Sequence, residues 1–331
     1  MNRVLLAIEL VRAVGATAAG STTSVAAKTP DEVEYIDRWC RANGSSVFAV
    51  HPEAVEIYRG SLSDVSVSIP PERMPGYRLW IYTNFHCNLA CAYCCAESSP
   101  RAQPRSVEVG MIVKLVEQAA ALGTKEIYLT GGEPFLHPDL AEIVTSCVSV
   151  APTVLLTNGM LFSGARKAML DSMPRTDFML QISVDSPTPD VHDSQRGAGS
   201  WAKAIAGVRV ARELGFRVRL ASTISAGSPH EEAAVADLCA DLGLAASDMI
   251  VRRVAAEGFA NDGIVITRES VLPEVCVSVE GVYWHPVAVT NPTMLVTPTI
   301  FPLQAAVSAI RDQFLEFRRR GDVLAASFPC A

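Results

Sequence analysis

No stretch of the 331 residues is apolar for long enough to cross a bilayer, so no membrane partner is expected. Basic runs are equally scarce. Lys and Arg number 28 against 35 Asp and Glu, a formal charge of -7, and no basic stripe of the kind that nucleic-acid binders carry is present. DNA and RNA are therefore not expected partners. Nine cysteines fall short of the density of a disulfide-built scaffold, and their odd number would leave one thiol unpaired. A reducing, cytoplasmic setting is expected. A secretory leader is not, because Glu9 and Arg12 interrupt the apolar run after Val4 to Ile8, a run shorter than a usual leader core. Met1 to Ala27 instead suggests an amphipathic helix and a linker of small residues.

What is present is a core-forming composition, 49% hydrophobic, in an alternating pattern. Strand-like runs rich in Ile, Val, Leu and aromatics occur at Leu79 to Thr83, Glu126 to Thr130, Thr153 to Thr157, Phe178 to Val184, Arg217 to Ile224 and Asp248 to Val254. Helical patterns lie between them, at Val107 to Leu122, Pro138 to Val150, Gly164 to Ser172, Trp201 to Leu214 and His230 to Leu242. Gly123, Gly215 and Gly243 stand where three of these helices should stop. The alternation predicts an α/β fold, an incomplete (β/α)6 TIM-like barrel over residues 79–255, with reactive residues at the carboxyl ends of its strands. Residues 1–78 carry a helical pattern at Val33 to Arg41 and extended runs at Ser46 to Val50 and Ala54 to Tyr58, suggesting a hairpin against the barrel. Residues 256–331 hold an extended segment, Glu274 to Pro286, and an amphipathic helix, Leu303 to Arg318, and suggest a small cap on the substrate side near the open barrel edge. The Arg318-Arg319-Arg320 run suits a helix C-terminus.

After the first barrel strand, Cys87, Cys91 and Cys94 follow a C-x3-C-x2-C spacing. Three such thiolates can bind three irons of a [4Fe-4S] cluster and leave the fourth open to a chelating ligand. A zinc site is the alternative, with His86 or Cys95 as the fourth ligand. The other strands end in Gly131-Gly132-Glu133-Pro134, Asn158-Gly159 and Asp185, so polar and glycine-rich positions gather on the same rim.

With Tyr93 before its third cysteine, this spacing resembles the radical S-adenosylmethionine (SAM) superfamily. Gly131-Gly132-Glu133-Pro134 is similar to that family's GGEP motif, Thr157-Asn158-Gly159 to its TNG, and Ile182-Ser183-Val184-Asp185 to its fourth-strand ISxD. The resemblance spans about Leu79 to Val254. It implies a cluster on Cys87, Cys91 and Cys94, whose open iron is chelated by the amine and carboxylate of SAM. One-electron reduction then gives methionine and a 5'-deoxyadenosyl radical. It further implies that the backbone around Tyr93 runs along the adenine and that Gly131, Gly132, Glu133 and Pro134 receive the methionyl amine. By the same resemblance, Asn158, Ser183 and Asp185 are expected near SAM, Arg196 near its carboxylate, and Val254 against adenine.

The expected activity is radical attack on a small metabolite or a peptide, by hydrogen abstraction or addition, with a flavodoxin- or ferredoxin-type electron donor and sensitivity to oxygen. A non-catalytic iron-sulfur or zinc protein is the alternative. Cys40, Cys147 and Cys239 fall in helical patterns and read as small buried hydrophobes. Cys276 and Cys330 fall short of the cysteine set that auxiliary clusters in relatives need, and burial is the simplest reading for both, with a substrate contact or thiol hydrogen donor as the alternative. Cys95 reads as a spectator, and His192 and Asp193 as loop residues near Arg196.

Overall fold

The computed structural model describes residues 3–60, 69–224 and 229–320. Two compact units emerge. The first takes the described residues up to Met74, Thr267–Pro273, and the described residues from Ser308 on. Its elements are α1 (Arg3–Gly15), β1 (Thr22–Ala26), α2 (Pro30–Ala42), β2 (Ser45–Val50) and β3 (Ala54–Arg59). The strands form an antiparallel sheet in the order β1-β3-β2. Leu6 and Leu10 of α1, Ile36 and Cys40 of α2, and Val25, Val55 and Ile57 of the sheet share its core. The helix α2 starts at a capping box, where Glu32 N donates to Thr29 Oγ1 and Thr29 N donates to Glu32 Oε2. The expected hairpin is thus two strands of three. The third, β1, lies in the segment expected to be linker, because Val25 is its only buried residue and its partner strand begins 28 positions away, at Ala54.

The second unit contains Pro75–Ile266 and Glu274–Val307. In chain order it runs β4 (Arg78–Tyr82), α3 (Val109–Ala121), β5 (Glu126–Thr130), α4 (Leu140–Val148), β6 (Thr153–Thr157), α5 (Gly164–Asp171) and β7 (Phe178–Ser183). It continues with α6 (Pro189–Arg196), α7 (Ser200–Glu213), β8 (Arg217–Ile224), α8 (Pro229–Asp241) and β9 (Met249–Arg253). Strands β4 to β9 are parallel and adjacent in chain order, the six-unit arrangement expected. Gly123, Gly215 and Gly243 all take left-handed φ values after their helices, as the stop signals require.

The C-terminal strands β10 (Val275–Ser278), β11 (Gly281–Tyr283) and β12 (Leu295–Thr297) extend the same sheet instead of forming a separate cap. β10 pairs in parallel with β4, placing Cys276 beside Trp80, and so satisfies the backbone groups that an edge strand would leave open. Glu274, just before β10, is tied to the start of the barrel. Its carboxylate lies 3.6 Å from Arg78 and accepts from Trp80 Nε1, while Arg78 Nε also donates to Glu126 at 2.8 Å. The last helix, α9 (Leu303–Arg320), has its first five residues in the second unit. Within the first unit, Arg318 donates to Asn43 Oδ1 at 2.8 Å. Cys40, Cys147, Cys239 and Cys276 are fully buried, as expected. Cys330 lies outside the described residues.

Candidate active site

The cysteines occupy the loop after β4, which several elements hold in place. At the tip of β5, Gly132 N donates to Asn84 O and Glu133 N to His86 O, each at 2.9 Å. A Cβ on Gly132 would overlap the His86 carbonyl, and one on Gly131 would overlap Asn84. These glycines thus let two backbones meet at the root of the cysteine loop. Further along, Ala92 N donates to Gln195 O of α6 at 2.9 Å and Phe259 N to Cys94 O at 3.1 Å. Thr290 Oγ1 donates to Cys95 O at 3.1 Å. Gly258, with φ +61°, presses on the Cys94 and Cys95 backbone so closely that a side chain would collide there. Gly258 and Thr290 carry no sequence signal beyond ordinary turn chemistry, and sequence reasoning misses both.

Cys87, Cys91 and Cys94 line one cleft of about 1070 Å³, measured to its open mouth, together with Tyr93, Gly131, Gly132, Asn158, Ser183, Arg196 and Val254. Leu89 N donates to Cys87 Sγ at 3.4 Å and Ser98 N to Cys94 Sγ at 3.3 Å, contacts of the kind that tune a thiolate-held cluster. Burial pushes the Cys87 thiol up to about 12, and the Glu133 carboxyl adds to the effect. Burial also raises Cys91, against the pull of the Arg196 guanidinium. Metal binding at these thiols therefore displaces protons. Three thiols along one cleft wall fit a multi-iron cluster, which takes one thiolate per iron.

Glu133, Pro134 and Asp185 do not line the cleft. Pro134 opens a short 3-10 turn, Pro134–Leu136. Glu133 is fully buried and turned inward. Its Oε1 accepts from Phe135 N at 3.0 Å and Thr157 Oγ1 at 2.7 Å, and its Oε2 accepts from Asn158 N at 2.8 Å. Burial raises its pKa despite these donors. The carboxylate, expected to receive an amine, joins the tips of β5 and β6 through these bonds. Asn158 extends that join, donating from Nδ2 to Asn88 Oδ1 at 2.8 Å.

Asp185 is a hub, not a wall residue. Arg196 Nε donates to its Oδ2 at 2.6 Å and Arg196 Nη2 to its Oδ1 at 3.0 Å, a bidentate pair almost out of solvent. The Tyr93 hydroxyl and the Thr223 amide donate to the same carboxylate. Burial opposes its ionisation, but Arg196 and the other donors prevail and hold the carboxyl below its ordinary value. Arg196 lies in the last turn of α6, not in a loop. His192, in the same helix, accepts at Nδ1 from Asp185 N at 3.1 Å, and burial with the nearby Arg196 charge lowers its pKa to about 4. Asp193 instead accepts from Gly199 N and Trp201 N at the start of α7. His86 has its Nδ1 3.4 Å from Ala102 O. The cleft wall also includes Trp80, Tyr82, Cys95, Thr223, Arg252 and Arg253, which sequence reasoning leaves out. Cys95 is thus not remote from the site.

The sequence model of the Radical SAM superfamily matches residues 81–242. GTP 3',8-cyclase from Microcystis aeruginosa is 35% identical over 140 residues, 39% of this chain and 42% of that protein. The antilisterial bacteriocin subtilosin biosynthesis protein AlbA from Bacillus subtilis is 34% identical over 161 residues, 47% of this chain and 35% of that protein. The chain thus spans less than half the length of these curated relatives. Among solved structures, anSMEcpe with bound AdoMet shares the fold at a TM-score of 0.54 and 12% identity, over 73% of this chain and 83% of that one.

Proposed function

This chain carries a domain of the radical SAM superfamily, and on that premise we propose that it is an enzyme in which Cys87, Cys91 and Cys94 hold a [4Fe-4S] cluster. Such a cluster supplies an electron that cleaves SAM to methionine and a 5'-deoxyadenosyl radical, which takes hydrogen from, or adds to, an organic substrate.

The observation that carries this reading is the convergence of the three cysteines with Gly131, Gly132, Asn158, Ser183, Arg196 and Val254 on one cleft. The chain's own part is positioning and shelter. Asp185 fixes Arg196 and Tyr93 at one side of the cleft. Glu133 fixes the tips of β5 and β6 at the other. Leu89, Leu156, Val254 and Val287 give the cleft apolar walls that keep water from a reactive intermediate. The substrate is a small metabolite or a peptide, the reductant a flavodoxin- or ferredoxin-type protein, and the setting a reducing cytoplasm, with the cluster sensitive to oxygen.

The test is anaerobic reconstitution with iron and sulfide, then dithionite and SAM, with 5'-deoxyadenosine read by mass spectrometry. Formation of 5'-deoxyadenosine that falls to background in Cys91→Ala is the expected result. A cluster that never cleaves SAM, or zinc held in preference to iron, would instead assign the cysteines to structure or electron transfer.

A further inference from the structure

Three arginines, Arg196, Arg252 and Arg253, line the cleft, and among its described residues no Asp or Glu does. Arg196 is neutralised from behind by Asp185. Arg252 and Arg253, at the end of β9, take part in no ion pair among the described residues. The strand register sets Arg252 beside Thr223 of β8, itself on the cleft wall. The Arg252 Nε is out of solvent and has no hydrogen-bond partner. A buried guanidinium N–H without an acceptor costs free energy, and native proteins rarely leave one so without a use.

The surroundings narrow what could supply the acceptor. A guanidinium presents a planar fork that matches a carboxylate or phosphate. Arg253 adds a second positive charge at the exposed end of the strand. Trp80, Val254, Ala255, Pro286 and Val287 supply apolar wall in the same cleft. Resting on the function proposed above, we propose that Arg252, supported by Arg253, binds an oxyanion of the substrate, so that the substrate is an acid carrying a carboxylate or phosphate beside an apolar body. This anion is distinct from the SAM carboxylate, and the guanidinium of Arg252 is a specificity-determining contact.

The test is calorimetric titration of anaerobically reconstituted holoenzyme, saturated with SAM, using succinate and inorganic phosphate as separate probes and neutral succinamide as control. Succinate, phosphate or both should bind, succinamide should not, and the stronger of the two anions names the source. Arg252→Gln should weaken binding by at least about tenfold, and Arg252→Lys, which keeps the charge but not the fork, by less. Should the glutamine variant fail to fold, as read by circular dichroism, a measurable loss in the lysine variant carries the same conclusion. Three results would overturn the proposal: anions that bind no better than succinamide, binding unchanged in both variants, or anion binding that SAM itself displaces. Failure of the underlying function would show differently, as wild-type enzyme that makes no 5'-deoxyadenosine in dithionite whatever the titration gives.

Discussion

The two ends of the parallel sheet treat charge in opposite ways. At the amino ends, Arg78 is shared between Glu126 and Glu274, and Tyr128 donates to Glu126 at 3.3 Å, so these charged groups find their partners within the chain. At the carboxyl ends, Asp185 matches Arg196, but Arg252 and Arg253 have no acidic partner among the described residues and three thiols share an open cleft. One end is finished by folding; the other is left for something to bind. This is the division of a parallel α/β sheet into a stabilising face and a reactive face, here visible in individual ion pairs.

The sharpest way to break the comparison is to disturb the reactive end without touching a thiol. Gly132→Ala must push the β5 tip away from the His86 carbonyl, so the cysteine loop shifts. Bound iron after anaerobic reconstitution should fall, and 5'-deoxyadenosine formation should drop by about a hundredfold. Wild-type iron and turnover in this variant would separate the glycine pair from the loop. Next in size is a matched pair of substitutions. Asp185→Asn strands a buried Arg196 and should cost about 3–5 kcal/mol in an unfolding titration. Glu274→Gln at the opposite end leaves Arg78 its Glu126 partner and should cost about 1 kcal/mol, with iron content unchanged. Equal losses from the two would erase the distinction between the ends.

The smallest effect is a pH slope. The folded His192 titrates at about 4, below the roughly 6.5 of an unfolded histidine, so between these values the folded chain binds fewer protons than the unfolded one. Its contribution to stability is present above pH 6.5 and is lost as the pH falls toward 4, amounting to about 2 kcal/mol between pH 7 and pH 5. His192→Asn keeps an acceptor for the Asp185 amide but cannot titrate. Its stability difference between those two pH values should shrink by that amount, and an undiminished difference would remove His192 from the account.

Much of this is legible in the sequence. The six barrel strands begin and end within about a residue of their hydrophobic runs, because most are short, nearly continuous apolar stretches bounded by turn signals, which a sequence reports directly. The cysteines, the glycine pair, Asn158, Ser183 and Arg196 are readable because their spacing is the signal. Strands β10 to β12 are harder, since they are three or four residues long and pair with one another or with β4, nearly two hundred positions earlier. The orientations of Glu133 and Asp185 are invisible for another reason. A sequence shows that a carboxylate is present, but which donors surround it depends on four strand tips coming together. Arg252 reads as an unremarkable strand residue until the cleft shows that its Nε lacks a partner.

The hold of Thr290 on the Cys95 carbonyl also has a consequence in time. The cysteine loop leaves the ribosome early, but this clasp is encoded 195 residues later. At about 5–20 residues per second, that interval is on the order of 10–40 s. Through it the thiols sit in a loop that lacks its last fastening. A metal loaded during synthesis would meet an unfinished cradle.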